Sequence, residues 1–394
     1  MNSVRSILAL STLACLAACS LLGPAVKQVP EPVVAVPVNV EPPRPPEYAQ
    51  PVDTHRFEID ALHDDVVGQV QVTIASKDDT LPDIARRFNL GYEEIVRANP
   101  GVDPWIPKAG TQIVLPTQFV LPSSVRQGIV INIAAMRLFY FPPTKPGQKQ
   151  VVYTHPIGIG RVGWQTPEGS TKVVSKQKDP VWIPPASVRA EHKENGEILP
   201  ARVPAGPDNP LGRYKFTLGW PSYLIHGTNK PYGVGLRSSH GCIRLYPEDV
   251  EKIFAMVGPG TTVTVVNQPF VFGWHEGQLY LQAFDVLEDD KRDWAKSQPK
   301  LLSKTLSKHI QSELAASKAS IDWQRVAEIT KDPRGLVLSA SAADQQIDAV
   351  IARAPRVQNR IPDGANWDGA DDPALQTQGD VKVMVSEQQQ APRS

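Results

Sequence analysis

The sequence predicts a mostly β domain in the middle of the chain, a small α+β module before it and a helical extension after it. Three observations carry this. Short apolar runs rich in Val, Ile, Tyr and Phe recur between Gly128 and Val266, separated by Gly and Pro. A strand–helix–helix–strand pattern fills residues 71–116, and helical spacing of apolar residues appears between 289 and 352. With 394 residues there is room for two or three compact units. Lys+Arg and Asp+Glu both total 41, so the net charge is zero and no global field favours nucleic acid. The 38 prolines point to linkers and extended loops.

The first residues read as a processing signal. Arg5 supplies a short positive region, and Ile7 to Ala18 is almost wholly apolar and small, too short to span a bilayer as a mature helix. Residues 1–18 are therefore expected to be a signal peptide. Leu16-Ala17-Ala18-Cys19 resembles the lipobox of bacterial lipoproteins, which implies cleavage before Cys19 and lipidation of that cysteine. Ser20, in place of Asp, implies sorting to the outer membrane of a Gram-negative cell, with the protein facing the periplasm. Of the three cysteines, Cys15 leaves with the signal and Cys19 is acylated, so Cys242 becomes the single free thiol in an oxidising compartment. Residues 19–70 are expected to be a spacer, extended and polyproline-like from Pro24 to Pro51.

Val72 and Ile74 alternate like a short strand. Asp79-Thr80 then offers an N-cap to a helix carrying Leu81, Ile84, Ala85 and Phe88. Tyr92, Ile95, Val96 and Ala98 mark a second helix, stopped by Asn99-Pro100-Gly101, and Gly110 to Pro116 gives a closing strand. This order, with Asp79-Thr80-Leu81, Asn99-Pro100 and the Lys108 to Pro116 ending, resembles a LysM module. The resemblance implies binding of N-acetylglucosamine-containing glycans such as peptidoglycan. It departs at Asp78, where many members have Gly before Asp.

The β-rich domain spans 128–267. Strands are expected at Ile129–Ile133, Arg137–Phe141, Val151–Tyr153, Tyr214–Leu218, Tyr223–Ile225 and Thr261–Val266, with one helix from Pro247 to Met256. Asp179 to Gly212 reads as a long ordered loop, the kind that often covers a functional site. Residues 268–353 form a β/helical extension: two strands over Val271–Asp285, then helices around Leu301–Leu314 and Ile321–Ile329. Residues 354–394 are poor in apolar side chains and are expected to be disordered.

The chemistry concentrates in Tyr223-Leu224-Ile225-His226-Gly227-Thr228 and Ser238-Ser239-His240-Gly241-Cys242-Ile243-Arg244-Leu245. A histidine at a strand end and a cysteine at a Gly turn can converge at one sheet edge. Cationic or histidine neighbours lower a thiol's pKa, and His226 would take the thiol proton and return it. Backbone N–H groups around Gly241 and Cys242 would face a developing oxyanion, and Arg244 would add positive potential. Read singly, Cys242 is a small buried hydrophobe and His226 a core hydrogen-bonding residue. A zinc site of His226, His240 and Cys242 would need a fourth ligand and carboxylate support, and the loop holds no Asp or Glu.

His226-Gly227-Thr228 followed by Ser239-His240-Gly241-Cys242-Ile243-Arg244 resembles the signature of the L,D-transpeptidase catalytic domain, also called the YkuD domain. The likeness includes Asn209 to Tyr214 and the Pro247-Glu248-Asp249-Val250 helix start. A LysM module before it resembles the ErfK/YbiS-type periplasmic members. The resemblance implies an L,D-transpeptidase-like β-sandwich, with Cys242 as nucleophile and His226 as general base. Ser239, His240, Gly241, Arg244, Gly227 and Thr228 would shape the oxyanion and substrate pocket. It implies no metal and no organic cofactor. The substrate would be the tetrapeptide stem of peptidoglycan, and the acceptor a lysine of the major outer-membrane lipoprotein or a second diaminopimelate. Water as acceptor would make an L,D-carboxypeptidase, and a dead domain would leave a glycan-tethering lipoprotein. Arg244 stands where many members have Asn.

Overall fold

The computed structural model describes residues 48–50, 53–60, 63–341 and 346–362. The expected signal peptide, the Cys19 lipidation site, most of the Pro-rich spacer and residues 363–394 lie outside the described residues.

The chain enters as strand β1 (Arg56–Ile59), then β2 (Val66–Gly68). Both fall within what the sequence suggested was spacer. Phe57 and Ile59 turn inward while Arg56 and Glu58 face out, and this two-residue alternation lets β1 add to a sheet edge. The α+β module follows: β3 (Gln71–Ile74), α1 (Leu81–Arg87), α2 (Tyr92–Ala98) and β4 (Gln112–Leu115), with β3 and β4 paired antiparallel. Thr80 caps α1 in a reciprocal box with Asp83. Asn99 ends α2, and its side chain bonds the Ile95 and Val114 carbonyls, tying the helix to the closing strand.

The central domain is built from β5 (Gln118–Val120), which pairs with β2, then β6 (Gly128–Asn132), β7 (Arg137–Phe141), β8 (Gln150–Pro156), β9 (Ile159–Gly160) and β10 (Gly169–Lys178). After α3 (Ala186–Glu194) come β11 (Tyr214–Leu218), β12 (Leu224–His226), β13 (Arg237–Ser239), β14 (Ile243–Arg244), α4 (Pro247–Met256) and β15 (Thr262–Val266). Among the described residues, nine strands form one sheet in the order β1-β8-β7-β6-β15-β10-β11-β12-β14, while β9 and β13 pair separately. Strand β10 joins its two halves. Gly169–Lys172 pairs with β15, Val173–Lys178 pairs with β11, and the register shifts between Val173 and Ser175. The halves share one core: Ile129, Ile131, Val263 and Val265 from one, Phe216, Ile225 and Ile243 from the other, with Val250 and Ile253 of α4. Strand β10 escapes sequence analysis because only Val173 is buried along it.

The extension opens with β16 (Phe270–His275) and β17 (Gln278–Ala283), then α5 (Trp294–Thr305), α6 (Lys308–Ser317) and α7 (Trp323–Lys331). Strand β18 (Val337–Ser339) completes a three-stranded antiparallel sheet, and α8 (Ile347–Arg353) follows. The helical run expected over Leu301–Leu314 is split, because the Ser307 hydroxyl accepts the Ile310 N–H and starts a new helix. The segment from 354 is corrected in part. The Pro355 carbonyl accepts the Val72 N–H (3.0 Å), and the Val357 N–H donates to the Val72 carbonyl (2.8 Å). Val357 is fully buried, and Asn359 bonds Asp79 and Arg87. Backbone pairing to an open strand edge orders a segment whose composition is that of a tail.

The α+β module is seated on the central domain. Arg137, 1 % exposed, makes two hydrogen bonds to Glu94 at 2.7 and 2.8 Å, and its guanidinium lies 4.0 Å from the Phe119 ring centre. Arg86 grips Glu248 with two bonds of 2.9 Å. Tyr92 and Glu93 donate their N–H groups to the Val234 and Gly235 carbonyls. Gly235 has φ +85°, and a Cβ there would lie 2.2 Å from the Tyr92 nitrogen, so only glycine fits this seam.

Candidate active site

Strands β12 and β14 run parallel, with Ile225 opposite Ile243 and His226 opposite Arg244. Extended one residue back, this register sets Cys242 beside Leu224. Side chains two apart share a face, so Cys242, Arg244 and His226 project to the same side of the sheet. They line one cavity of about 370 Å³, together with Ser239 and His240.

Cys242 Sγ donates to the Ser222 carbonyl at 3.7 Å. Ser222 sits in the left-handed region (φ 69°) of the tight loop between β11 and β12. Sequence analysis expected neighbours to lower this thiol. Instead burial pushes it up, against the Leu224 backbone and the Arg244 charge. His226 is buried, and its Nδ1 lies 2.6 Å from the Gly227 carbonyl. A carbonyl only accepts, so Nδ1 carries the proton and Nε2 keeps its lone pair. Burial, reinforced by Arg244, brings the imidazole down to about 3. The Arg244 guanidinium is lowered by burial; Nη1 donates to Ser238 Oγ at 3.3 Å, and its buried Nε has no hydrogen-bond partner among the described residues.

The remaining predicted residues divide by what they touch. Ser239 is buried; its hydroxyl donates to the Cys242 carbonyl (2.6 Å) and accepts the Gly241 N–H (3.2 Å). The Gly241 amide, expected to face an oxyanion, is thus engaged in holding the turn. Gly241 itself has φ +99°, and a Cβ would meet the Tyr223 ring at 2.8 Å. Gly227 supplies the carbonyl for His226, and Thr228 Oγ1 accepts the Lys230 N–H (3.0 Å). Neither lines the cavity.

His240 shows what sequence analysis missed. Its Nε2 lies 2.9 Å from Glu191 Oε2 and 3.2 Å from Arg161 Nη2, and Glu191 also pairs with Arg161. Burial lowers the His240 imidazole, opposed by Glu191. Burial would raise Glu191, but Arg161 and His240 outweigh it and hold the carboxyl low. Trp164 packs edge-on to His240, ring centres 4.8 Å apart. Glu191 lies on α3, inside the Pro-rich segment. That segment contributes Val181, Trp182, Ile183, Pro185, Val188 and Leu211 to the cavity wall. Asn209 clamps it, donating to the Pro180 and Pro204 carbonyls and accepting the Leu211 N–H. Lys215 adds a second cation to the lining.

A thiol and a neutral imidazole in one covered cavity of a mostly β domain have the layout of an enzyme site. Residues 126–265 match the family model of the L,D-transpeptidase catalytic domain, and residues 75–116 match that of the LysM domain. "Probable L,D-transpeptidase YcfS" of Escherichia coli strain K12 is 41% identical over 253 residues, covering 63% of this chain and 77% of that protein. "Probable L,D-transpeptidase ErfK/SrfK" of Salmonella typhimurium strain LT2 is 38% identical over 283 residues, covering 70% and 88%. The NMR structure of the catalytic domain from an E. faecium L,D-transpeptidase is 23% identical, with a TM-score of 0.26, covering 36% of this chain and 96% of that one. The chain belongs to the L,D-transpeptidase family, and it carries a LysM domain ahead of the catalytic domain.

Proposed function

We propose that this L,D-transpeptidase acts on peptidoglycan tetrapeptide stems through a thioester on Cys242. The observation that carries the reading is the cavity shared by the Cys242 thiol, the His226 imidazole and the Arg244 guanidinium. His226 Nε2 takes the thiol proton as Sγ attacks the carbonyl at the L-centre of the third stem residue. The C–N bond to the terminal D-Ala breaks, and the D-Ala amine leaves with the proton from His226. An acceptor amine then attacks the thioester, gives its proton to His226 and regenerates the thiol. Arg244 and Lys215 suit the carboxylates of such a stem. Supported by the family assignment, the acceptor is an amine: a lysine of the outer-membrane lipoprotein or a second diaminopimelate. The Leu16-Ala17-Ala18-Cys19 segment supports a lipid anchor at Cys19 and a periplasmic, outer-membrane location. The LysM domain supports retention on the glycan.

Purified protein incubated with tetrapeptide-containing sacculi should change the muropeptide profile. New 3→3 dimers or lipoprotein-linked stems support amine transfer, whereas tripeptides alone would show hydrolysis. Cys242→Ala should abolish the change. It should also abolish the mass increment left by a carbapenem on the wild-type chain. An adduct persisting in Cys242→Ala would sink the assignment of the nucleophile.

A further inference from the structure

His55, His155 and Asp249 meet away from the thiol cavity, where the end of the N-terminal segment, strand β8 and the start of α4 come together. Each offers one ligating atom, and all three atoms lie within 4.8 Å of one another. His155 is fully buried, and neither of its ring nitrogens has a hydrogen-bond partner among the described residues. Buried Asp249 Oδ1 is likewise without one. Its distance to His155 Nδ1 is 3.0 Å and to His55 Nε2 3.7 Å. A buried imidazole and a buried carboxylate oxygen that converge without hydrogen bonds are costly unless an ion occupies the space they share with His55. A divalent ion bound at about 2.0–2.2 Å in tetrahedral geometry sets its ligands roughly 3.3–3.6 Å apart. The two measured separations bracket that edge.

From this geometry we infer that His55, His155 and Asp249 form a binding site for a divalent first-row transition metal of the zinc class. Two imidazoles and one carboxylate are the donor set such ions favour over magnesium or calcium. His55 is the least buried of the three. Lys252 Nζ stands 3.8 Å from Asp249 Oδ1 on a half-exposed side chain, which is free to swing into water when a cation binds. The ion clips the chain ahead of β1 to the central domain, beside the Arg86–Glu248 bridge that seats the LysM helices.

The test is Co²⁺ titration of the purified chain carrying Cys242→Ser, which removes the thiol as a competing ligand. About one equivalent should bind with visible d–d absorption, Zn²⁺ should displace it, and Zn²⁺ should raise the Tm. His55→Ala, at the most exposed ligand, should keep the fold and weaken Zn²⁺ at least about tenfold, since even loss of a supporting contact to a ligand costs that much. Asp249→Asn should do the same. Absence of stoichiometric binding overturns the proposal, and so does Zn²⁺ affinity unchanged in His55→Ala.

Discussion

Burial acts on Cys242 and His226 in opposite directions on the pKa scale, and both shifts favour the uncharged form. The pair therefore rests as thiol and imidazole, and the proton moves only when substrate arrives. Alkylation by iodoacetamide reads this directly, because only thiolate reacts. Its rate at Cys242 should climb through the alkaline range, with no inflection near the ordinary histidine pKa of about 6.5. An inflection below about pH 7 would show a preformed ion pair instead. Glu191 acts one contact further out. Glu191→Gln removes the carboxylate that raises His240 and holds Arg161, so kcat/KM should fall by about tenfold, the size of one charge-assisted hydrogen bond. With that opposition gone the His240 pKa should fall further, so any acid limb set by His240 should move to lower pH. A drop in rate with an unshifted profile would make Glu191 merely structural.

At the scale of elements, the Pro355–Asn359 segment offers a clean test. A chain ending at Arg353 loses both backbone bonds to Val72 and the burial of Val357. Urea denaturation should show a loss of about 1.5–3 kcal/mol, the worth of one buried aliphatic side chain. An unchanged midpoint would refute the packing role of this segment. The same segment shows where sequence analysis stops. Strands such as Tyr214–Leu218 and the helix Pro247–Met256 were legible because apolar spacing or a proline start marks them. Strand β10 was not, since Gly169 to Lys178 is polar and only its pairing on both edges makes it a strand. For the site, His226 and Cys242 stood out by motif. Glu191 did not, because it reaches His240 through space from a helix inside a loop. The Ser239 and Gly241 contacts depend on a turn whose hydrogen bonds no spacing reveals.

For the whole molecule, the decisive contact is the buried pair between Arg137 of the central domain and Glu94 of the LysM helix α2. Removing one partner strands a buried charge, so Arg137→Ala should cost about 3–5 kcal/mol. The double variant Arg137→Met with Glu94→Leu should recover most of it. If the double variant is no more stable than Arg137→Ala, the pair does not act as a unit. This pair and the Arg86–Glu248 bridge make the LysM domain part of one body with the catalytic domain rather than a bead on a linker.

The close seam between Tyr92 and Gly235 carries this further. A tethered binding module raises the local level of its ligand near a second site only as far as linker entropy allows. Here no linker lies between the helix that starts at Tyr92 and the loop leading to Cys242. Under the proposed function, a glycan strand held by the LysM domain would present its stem peptides to the thiol from within one rigid body. The effective concentration of correctly placed stems would then be set by the spacing of stems along the glycan, as a gauge selects parts of one length.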